Sequence, residues 1–297
     1  MTKAVLTDGT DSNTIDIHCG GVDLKFPHHE NEIAQSNCAH DGAPLANYWV
    51  HNEFLNMGSE KMSKSLGNVK LIHDLLKDWD GEVIRLALLK AHYRSELVWT
   101  EDLLEEAKQN LESFYSIMRQ ISLFKLTSDN VYDEGLYLES FYDDLNSQAG
   151  ISALYAIAPG IRRILLIIET FEKHLNGSSD DSIPNQVSSL KMVKSYFEAD
   201  FAGKAELLKQ ARLNATRYIG RFQLIANLLG LLQKDPEAWF KGGASADEEA
   251  EFDAIALRRQ EARAAKDWAA ADVARDEATA KGIVLEDGPD GTTWRKA

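Results

Sequence analysis

The chain has 297 residues, is 27% charged and 44% hydrophobic, and carries a formal net charge of −15. That length holds two or three domains and a sizeable core, and the acidity excludes a generic nucleic-acid sponge while leaving room for a local RNA-binding patch. Its 2 cysteines, Cys19 and Cys38, exclude a disulfide framework, so a reducing cytoplasm is expected. No stretch reads as long and apolar enough to cross a membrane, and no secretory signal opens the chain, so no membrane partner is expected. The acidity is uneven: Arg258 to Ala297 holds eight basic and eight acidic residues, so the first 257 residues carry the whole −15. That neutral tail is where an RNA contact is expected, although an ordinary solvated helix face has the same composition.

Taken in chain order, residues 1–14 are small and polar. Thr14 to His18 predicts a strand, Gly20-Gly21 a turn, and Pro27 the first turn of a helix running through His28 to about His40. Tyr48 to Leu55 predicts a strand leading into a glycine-bounded segment from Gly58 to Gly67. Strand, turn, helix, strand is an α/β pattern. From Leu71 the periodicity is helical. Thr100 caps a long helix reaching Phe124, and Thr127 to Asn130 is a polar break. Residues 138–234 predict three or four helices, interrupted at Asn176–Asp180 and near Gly203. Asp235-Pro236 and Gly242 to Ser245 mark a linker. Ser245-Ala246-Asp247-Glu248 is a capping box opening another helix, which Gly282 ends. Two short strands then flank an Asp-Gly-Pro-Asp-Gly turn.

Two segments carry chemistry. Lys61-Met62-Ser63-Lys64-Ser65 sets two compact cations and two hydroxyls on a segment free to bend at its glycines. Such a loop can close on a polyphosphate and stabilise the charge of leaving pyrophosphate. A lone pair of lysines would be read as a solvated loop. Upstream, His28 and Glu32 are four apart, so on a regular helix they share a face and can bind one metal, or simply form an ion pair. Two ligands fall short of the three or four that zinc requires. His29 and Glu30 flank that pair on other faces. His18, Gly20, Gly21 and Asp23 lie at the carboxyl end of the first strand, where ligands of open α/β sheets gather. A glycine turn with a capping Asp is the plain alternative.

Asp16-Ile17-His18-Cys19-Gly20-Gly21-Val22-Asp23, continuing Phe26-Pro27-His28-His29-Glu30-Asn31-Glu32 and followed by KMSKSLGN, resembles the cysteinyl-tRNA synthetases, class I aminoacyl-tRNA synthetases. Ala91 to Ser95 and Asp287 to Trp294 add weaker support. The resemblance implies an α/β plus mostly α protein: the C-terminal part of a Rossmann-type catalytic domain, a helical bundle, and a small α+β anticodon-type domain. The implied domains are 1–70, a helical stem-contact region 71–125, a bundle 126–236 and the C-terminal module 245–297.

By the same resemblance, Lys61 and Lys64 act on ATP, bound with Mg, and Ser63 and Ser65 bond its phosphates. His18, Gly20, Gly21 and Asp23 line the aminoacyl-adenylate pocket, and His28 and Glu32 are half of a zinc site. The implied substrates are ATP, cysteine and the tRNA for cysteine. The family's HIGH-type signature and its two cysteine ligands are not found in this sequence, and Cys19 reads as a tolerated substitution. The chain is therefore expected to be incomplete and inactive alone, with a separate N-terminal half as a partner. The alternatives are a non-catalytic tRNA-binding fragment and an ATP-dependent cysteine ligase acting on a small acceptor. Trp79, Trp99, Trp239, Trp268 and Trp294 read as core anchors, with stacking on an anticodon base as the alternative for Trp294. Asp144-Leu145-Asn146-Ser147-Gln148 departs from the family's Asp-Leu-Asn-Thr-Pro, which reads as relaxed constraint.

Overall fold

The computed structural model describes residues 14–57, 60, 61, 70–126, 139, 141–177, 183–288 and 291–296. Packing divides the chain into two compact units, 1–108 with 134–153, and 109–133 with 154–297.

In the first unit β1 (Ile15–Gly21) runs into two irregular turns, Val22–Leu24 and Lys25–His29, before α1 (Glu30–Ala39) begins. The helix thus starts three residues later than Pro27 predicts, because Phe26 is extended (φ −138°, ψ 131°) and interrupts the helical turn. β2 (Ala46–Asn52) pairs parallel to β1, with Ile17 opposite Tyr48, His18 opposite Trp49 and Gly20 opposite His51. The single strand expected over Tyr48–Leu55 is broken at Glu53-Phe54, and β3 (Leu55–Met57) belongs to another sheet. There it pairs antiparallel with β4 (Glu60–Lys61) and parallel with the later β5.

α2 (Ile72–Asp78) and α3 (Gly81–Leu89) come next, the latter capped by Asp80, whose carboxylate accepts from the Glu82 amide. β5 (Leu97–Trp99) leads into α4 (Glu101–Leu123), where the Thr100 hydroxyl accepts from the Leu103 amide.

The segment before the next helix is clipped to residues 89–94. Asp144 and Leu145 are left-handed (φ 55° and 56°), a conformation that costs L-residues energy. Asp144 accepts from Tyr93 and, at 2.7 Å, from Arg94 Nε, while its carbonyl lies 3.0 Å from His92 Nε2. Asn146 accepts from the Ala149 amide, Ser147 donates to the Leu89 carbonyl, and Gln148 donates to that of Lys90. These polar side chains are all engaged, so the departure at Ser147-Gln148 is accommodated rather than relaxed.

α5 (Ser147–Leu175) contributes to both units, as α4 does. By length and composition it is apolar enough to cross a membrane, contrary to the expectation that no stretch qualifies. Its apolar positions, however, include Leu154, Ile157, Ile161, Ile164, Leu165, Ile168 and Phe171, all buried, and Arg162 and Arg163 interrupt the outer face. This is the pattern of a core helix.

In the second unit α6 (Asn185–Ser188), α7 (Lys191–Glu198) and α8 (Phe201–Leu229) complete the bundle. Gly203 is not a break: it donates its amide to the capping carboxylate of Asp200, so the interruption lies at Ala199-Asp200. Phe114, Phe171, Tyr196, Phe222 and Ile225 are buried in this core, and Tyr196 stacks on Phe171 with centroids 3.7 Å apart. The expected linker contains a short helix, α9 (Pro236–Lys241), capped by Asp235.

The C-terminal module is α10 (Ala246–Ala264), α11 (Trp268–Ala280), β6 (Ile283–Gly288) and β7 (Gly291–Lys296). Its capping box is present in both directions between Ser245 and Glu248, but the single helix expected from there to Gly282 is two helices, broken where Lys266 is left-handed (φ 60°); Gly282 (φ +73°) ends the second and turns the chain into the hairpin. Phe252, Ile255, Ala274, Ile283 and Trp294 form its core.

Asp287 fastens this module. It accepts from both Arg259 nitrogens at 2.8 and 3.2 Å, from Arg263, and from the Thr292 hydroxyl at 2.8 Å. The Arg259 bonds hold its carboxyl below the ordinary value, against the opposing effect of burial. A carboxylate with a depressed folded value contributes stability above its unfolded value, about 3.9, and loses it as pH falls through the folded one. The module is therefore expected to loosen below about pH 4. Near-ultraviolet circular dichroism should show that acid limb in the parent chain and its flattening in Asp287→Asn.

Candidate functional site

The first face of interest is built at the carboxyl end of β1. His18 points its Nε2 to within 3.1 Å of Glu32 Oε2 on α1. His29 is buried, at 4% exposure, and its Nδ1 lies 2.9 Å from His51 Nε2 on β2. Trp49 closes the cluster, with its ring 4.6 Å from His18 and 5.2 Å from His29. His51 is held below the ordinary imidazole value, first by desolvation and then by the neighbouring His29, Lys25 and His18. Neutral histidines are the form that ligates metals.

Gly20 makes this geometry possible. A Cβ there would lie 2.7 Å from His29 Cε1, so the missing side chain is the space the buried imidazole fills. Gly20→Ala is therefore expected to push His29 out of place and destabilise the chain by about 1–3 kcal/mol. The shift should appear as changed imidazole resonances of His18 and His51 in proton–nitrogen spectra.

His18, His29 and Glu32 offer two nitrogens and one carboxylate oxygen within 4.8 Å of one another. That donor set fits zinc, which takes imidazole and carboxylate ligands and would need a fourth. Glu32, singled out from the sequence, is in the cluster. His28 is exposed and is not among the three clustered donors. His29, the neighbour set aside in the sequence, takes the buried place. Its sequence signal is faint: two adjacent histidines offer no way to choose without the bend at Phe26. Cys19 and Cys38 are both exposed, and Cys19 falls on the strand face opposite His18.

Gly21 and the exposed Asp23 come directly after, and a Cβ at Gly21 would meet Asp23 Oδ1 at 2.5 Å. Lys61 lies in β4, its backbone paired with Asn56. Ser63, Lys64 and Ser65 lie outside the described residues.

At the other end of the chain Trp294 is 2% exposed, packs edge-on to Phe252 at 4.9 Å and donates Nε1 to Asp253 at 2.7 Å. That burial bears out the reading of Trp294 as a core anchor and not its stacking alternative. Trp268, read as a core anchor, is 62% exposed at the start of α11. Its neighbour Asp267 lines a groove with Arg258, Ala262, Ala270 and Val273.

Residues 1–109 match the class I (C) catalytic domain of the tRNA synthetases, and residues 245–295 match the cysteinyl-tRNA ligase anticodon binding domain. The cysteine–tRNA ligase of Maricaulis maris is 44% identical over 285 residues, 95% of this chain and 51% of that protein. The chain is similar to the cysteinyl-tRNA synthetases along nearly its whole length. The enzymes of the same name from Hyphomonas neptunium, at 44% identity over 283 residues, and Caulobacter vibrioides, at 41% over 297, align over 95% and 98% of the chain. The chain spans about half the length of these curated relatives, 51 to 54%. The ternary complex of Agrobacterium radiobacter K84 agnB2 LeuRS with tRNA and LeuAMS superposes at a TM-score of 0.40 and 16% identity, covering 74% of this chain and 28% of that one, which is too distant to bear on function.

Proposed function

We propose that this polypeptide forms the C-terminal part of a cysteine–tRNA ligase and works in the cytoplasm with an N-terminal half. The observation that carries the reading is the alignment at 44% identity over 95% of the chain, together with the separate matches at its two ends. The reaction has two steps. The cysteine carboxylate attacks the α-phosphorus of ATP and pyrophosphate leaves, then a ribose hydroxyl of the tRNA takes the cysteinyl group and AMP departs. No protein nucleophile is required, so the residues act by positioning and charge stabilisation.

In this reading Lys61 and Lys64, with Ser63 and Ser65, meet the phosphates of Mg-bound ATP. His18, Gly20, Gly21 and Asp23 border the adenylate. Zinc held by Glu32 with a histidine, and by cysteines of the N-terminal half, would supply a soft centre that prefers a thiolate to a hydroxyl and so selects cysteine over serine. Zinc content of His28→Ala and His29→Ala, beside the parent chain completed with that half, decides which histidine accompanies Glu32. On the geometry of the cluster, His29→Ala is expected to lose the metal.

The N-terminal half has a surface to meet. β1 and β2 are the only two strands of their sheet among the described residues, and parallel sheets are normally covered on both faces. Histidines and α1 occupy one face, while Ile17 and Tyr48 leave 59% and 70% of their surface exposed on the other. In the C-terminal module the exposed Trp268, at the start of α11, is the residue this reading would have stack on an anticodon base.

The test is cysteine attachment by this chain mixed with the N-terminal half of the Maricaulis maris enzyme. Labelled cysteine appearing on tRNA supports the reading. Label on a small acceptor with none on tRNA would make it the small-molecule ligase instead. tRNA binding with no adenylate formed would leave a binding fragment.

A further inference from the structure

The junction between the helical bundle and the C-terminal module, within the second unit, is built around one cation. Arg119, near the end of α4, donates Nε and Nη2 to the two oxygens of Glu237 on α9 at 2.5 and 2.6 Å. Its remaining nitrogen, Nη1, donates to Glu286 on β6 at 3.0 Å. The guanidinium also lies 4.8 Å over the ring of Phe240. Only 19% of the Arg119 side chain is exposed, while Glu237 and Glu286 reach it from the surface at 52% and 40%, and the bidentate geometry makes the bonds directional. The Glu237 bonds raise its already high value further, so the charge is fixed at any relevant pH.

One turn earlier on α4, the buried Tyr115 stacks on Trp239 at 4.3 Å and 14°, and its hydroxyl accepts from the Lys234 amide. Thus α9 is held against α4 by a stacked pair and a forked ion pair, and β6 is tied to the same arginine.

The connection between α9 and α10 makes this fixing consequential. Gly242 and Gly243 are both left-handed, at φ +59° and +66°. Glycine has no steric preference for that region over its mirror, so this pair does little by itself to define the direction of the chain. Contacts must set the angle of the module. On the module side Lys241 reaches Glu249 at 2.9 Å, which ties α9 to α10. The hairpin also packs against α9, with Lys241 5.2 Å from the Trp294 ring, and it reaches α4 through Glu286, whose other oxygen takes Arg295 at 2.8 Å.

We propose that Arg119 is a positioning residue that fixes the C-terminal module at one angle to the bundle, so that both surfaces engage one tRNA at once. The tRNA part of this statement rests on the function proposed above, while the fixing of the angle does not. Removing the guanidinium leaves two carboxylates, Glu237 and Glu286, on facing elements without the cation between them. The module then pivots at the glycine pair.

The experiment uses the whole chain as parent, Arg119→Ala, Glu237→Gln and the double variant. Small-angle X-ray scattering and cleavage by elastase at Gly242–Ala244 report the angle without any tRNA. Arg119→Ala should broaden the distance distribution and raise the cleavage rate at least tenfold. Glu237→Gln should do so less, and the double variant no more than Arg119→Ala. Unchanged scattering and cleavage in Arg119→Ala, with the circular dichroism of the parent, would overturn the proposal. So would additive effects in the double variant.

Binding then separates positioning from a general loss of fold. Affinity for an isolated anticodon stem-loop should stay within twofold, while affinity for the whole tRNA falls about tenfold. Equal losses on both would mean damage to the module and would overturn the positioning role. If the parent chain binds neither RNA, the ligase reading fails, and scattering and cleavage alone decide on Arg119.

Discussion

Lys64→Ala, made in the chain completed with an N-terminal half, is expected to lower cysteine-dependent pyrophosphate exchange by roughly 10²–10³-fold. The reason is the charge that develops as pyrophosphate leaves. No group of the protein is covalently engaged in that step, so a cation that meets the leaving oxygens acts mainly in the transition state. An interaction made only there lowers kcat and kcat/KM together and leaves substrate binding almost untouched. The KM for cysteine should therefore change little, since the residues proposed to surround cysteine lie on β1 and α1. Lys61→Ala, the helper in this reading, should cost less. A Lys64→Ala variant that exchanges pyrophosphate at the parent rate would remove the loop from the mechanism.

The largest expected effect on stability is at Phe222. Its ring is fully buried in the bundle and packs edge-on to Phe114, with centroids 5.6 Å apart. Phe222→Ala should cost about 3–5 kcal/mol, the transfer free energy of the ring plus the cavity left behind. That is a large share of the roughly 5–15 kcal/mol by which domains are typically stable. Phe201, on the same helix, is 75% exposed. Phe201→Ala should stay within about 0.5 kcal/mol. Urea denaturation followed by circular dichroism measures both, and similar midpoints for the two variants would refute the packing described for α8.

The sequence made local features legible and left long-range ones out of reach. The capping box at Ser245, the Thr100 cap and the stop at Gly282 were readable because each depends on neighbours three or four residues away. Gly203 misled, since a glycine three residues after an acidic cap accepts its place in the first helical turn without a break. His28 and Glu32 looked paired because four-residue spacing assumes a regular helix. In the structure the donors gathered about Glu32 are His18, from a distant strand, and the buried His29, which four-residue spacing does not single out. Trp294 is packed as its plainer reading had it, whereas Trp268, read as a core anchor, is exposed, since aromatic content alone does not tell a buried ring from an exposed one. The Arg119 junction, with partners 118 and 167 residues away, left no local signal.

The central claim is that these 297 residues carry only part of an adenylate-forming site. Cysteine-dependent ATP–pyrophosphate exchange, measured on the purified chain with its zinc content, tests it most directly. The account predicts no exchange from the chain alone, and exchange once an N-terminal half from a relative is added. Exchange by the chain alone, with zinc bound, would contradict it.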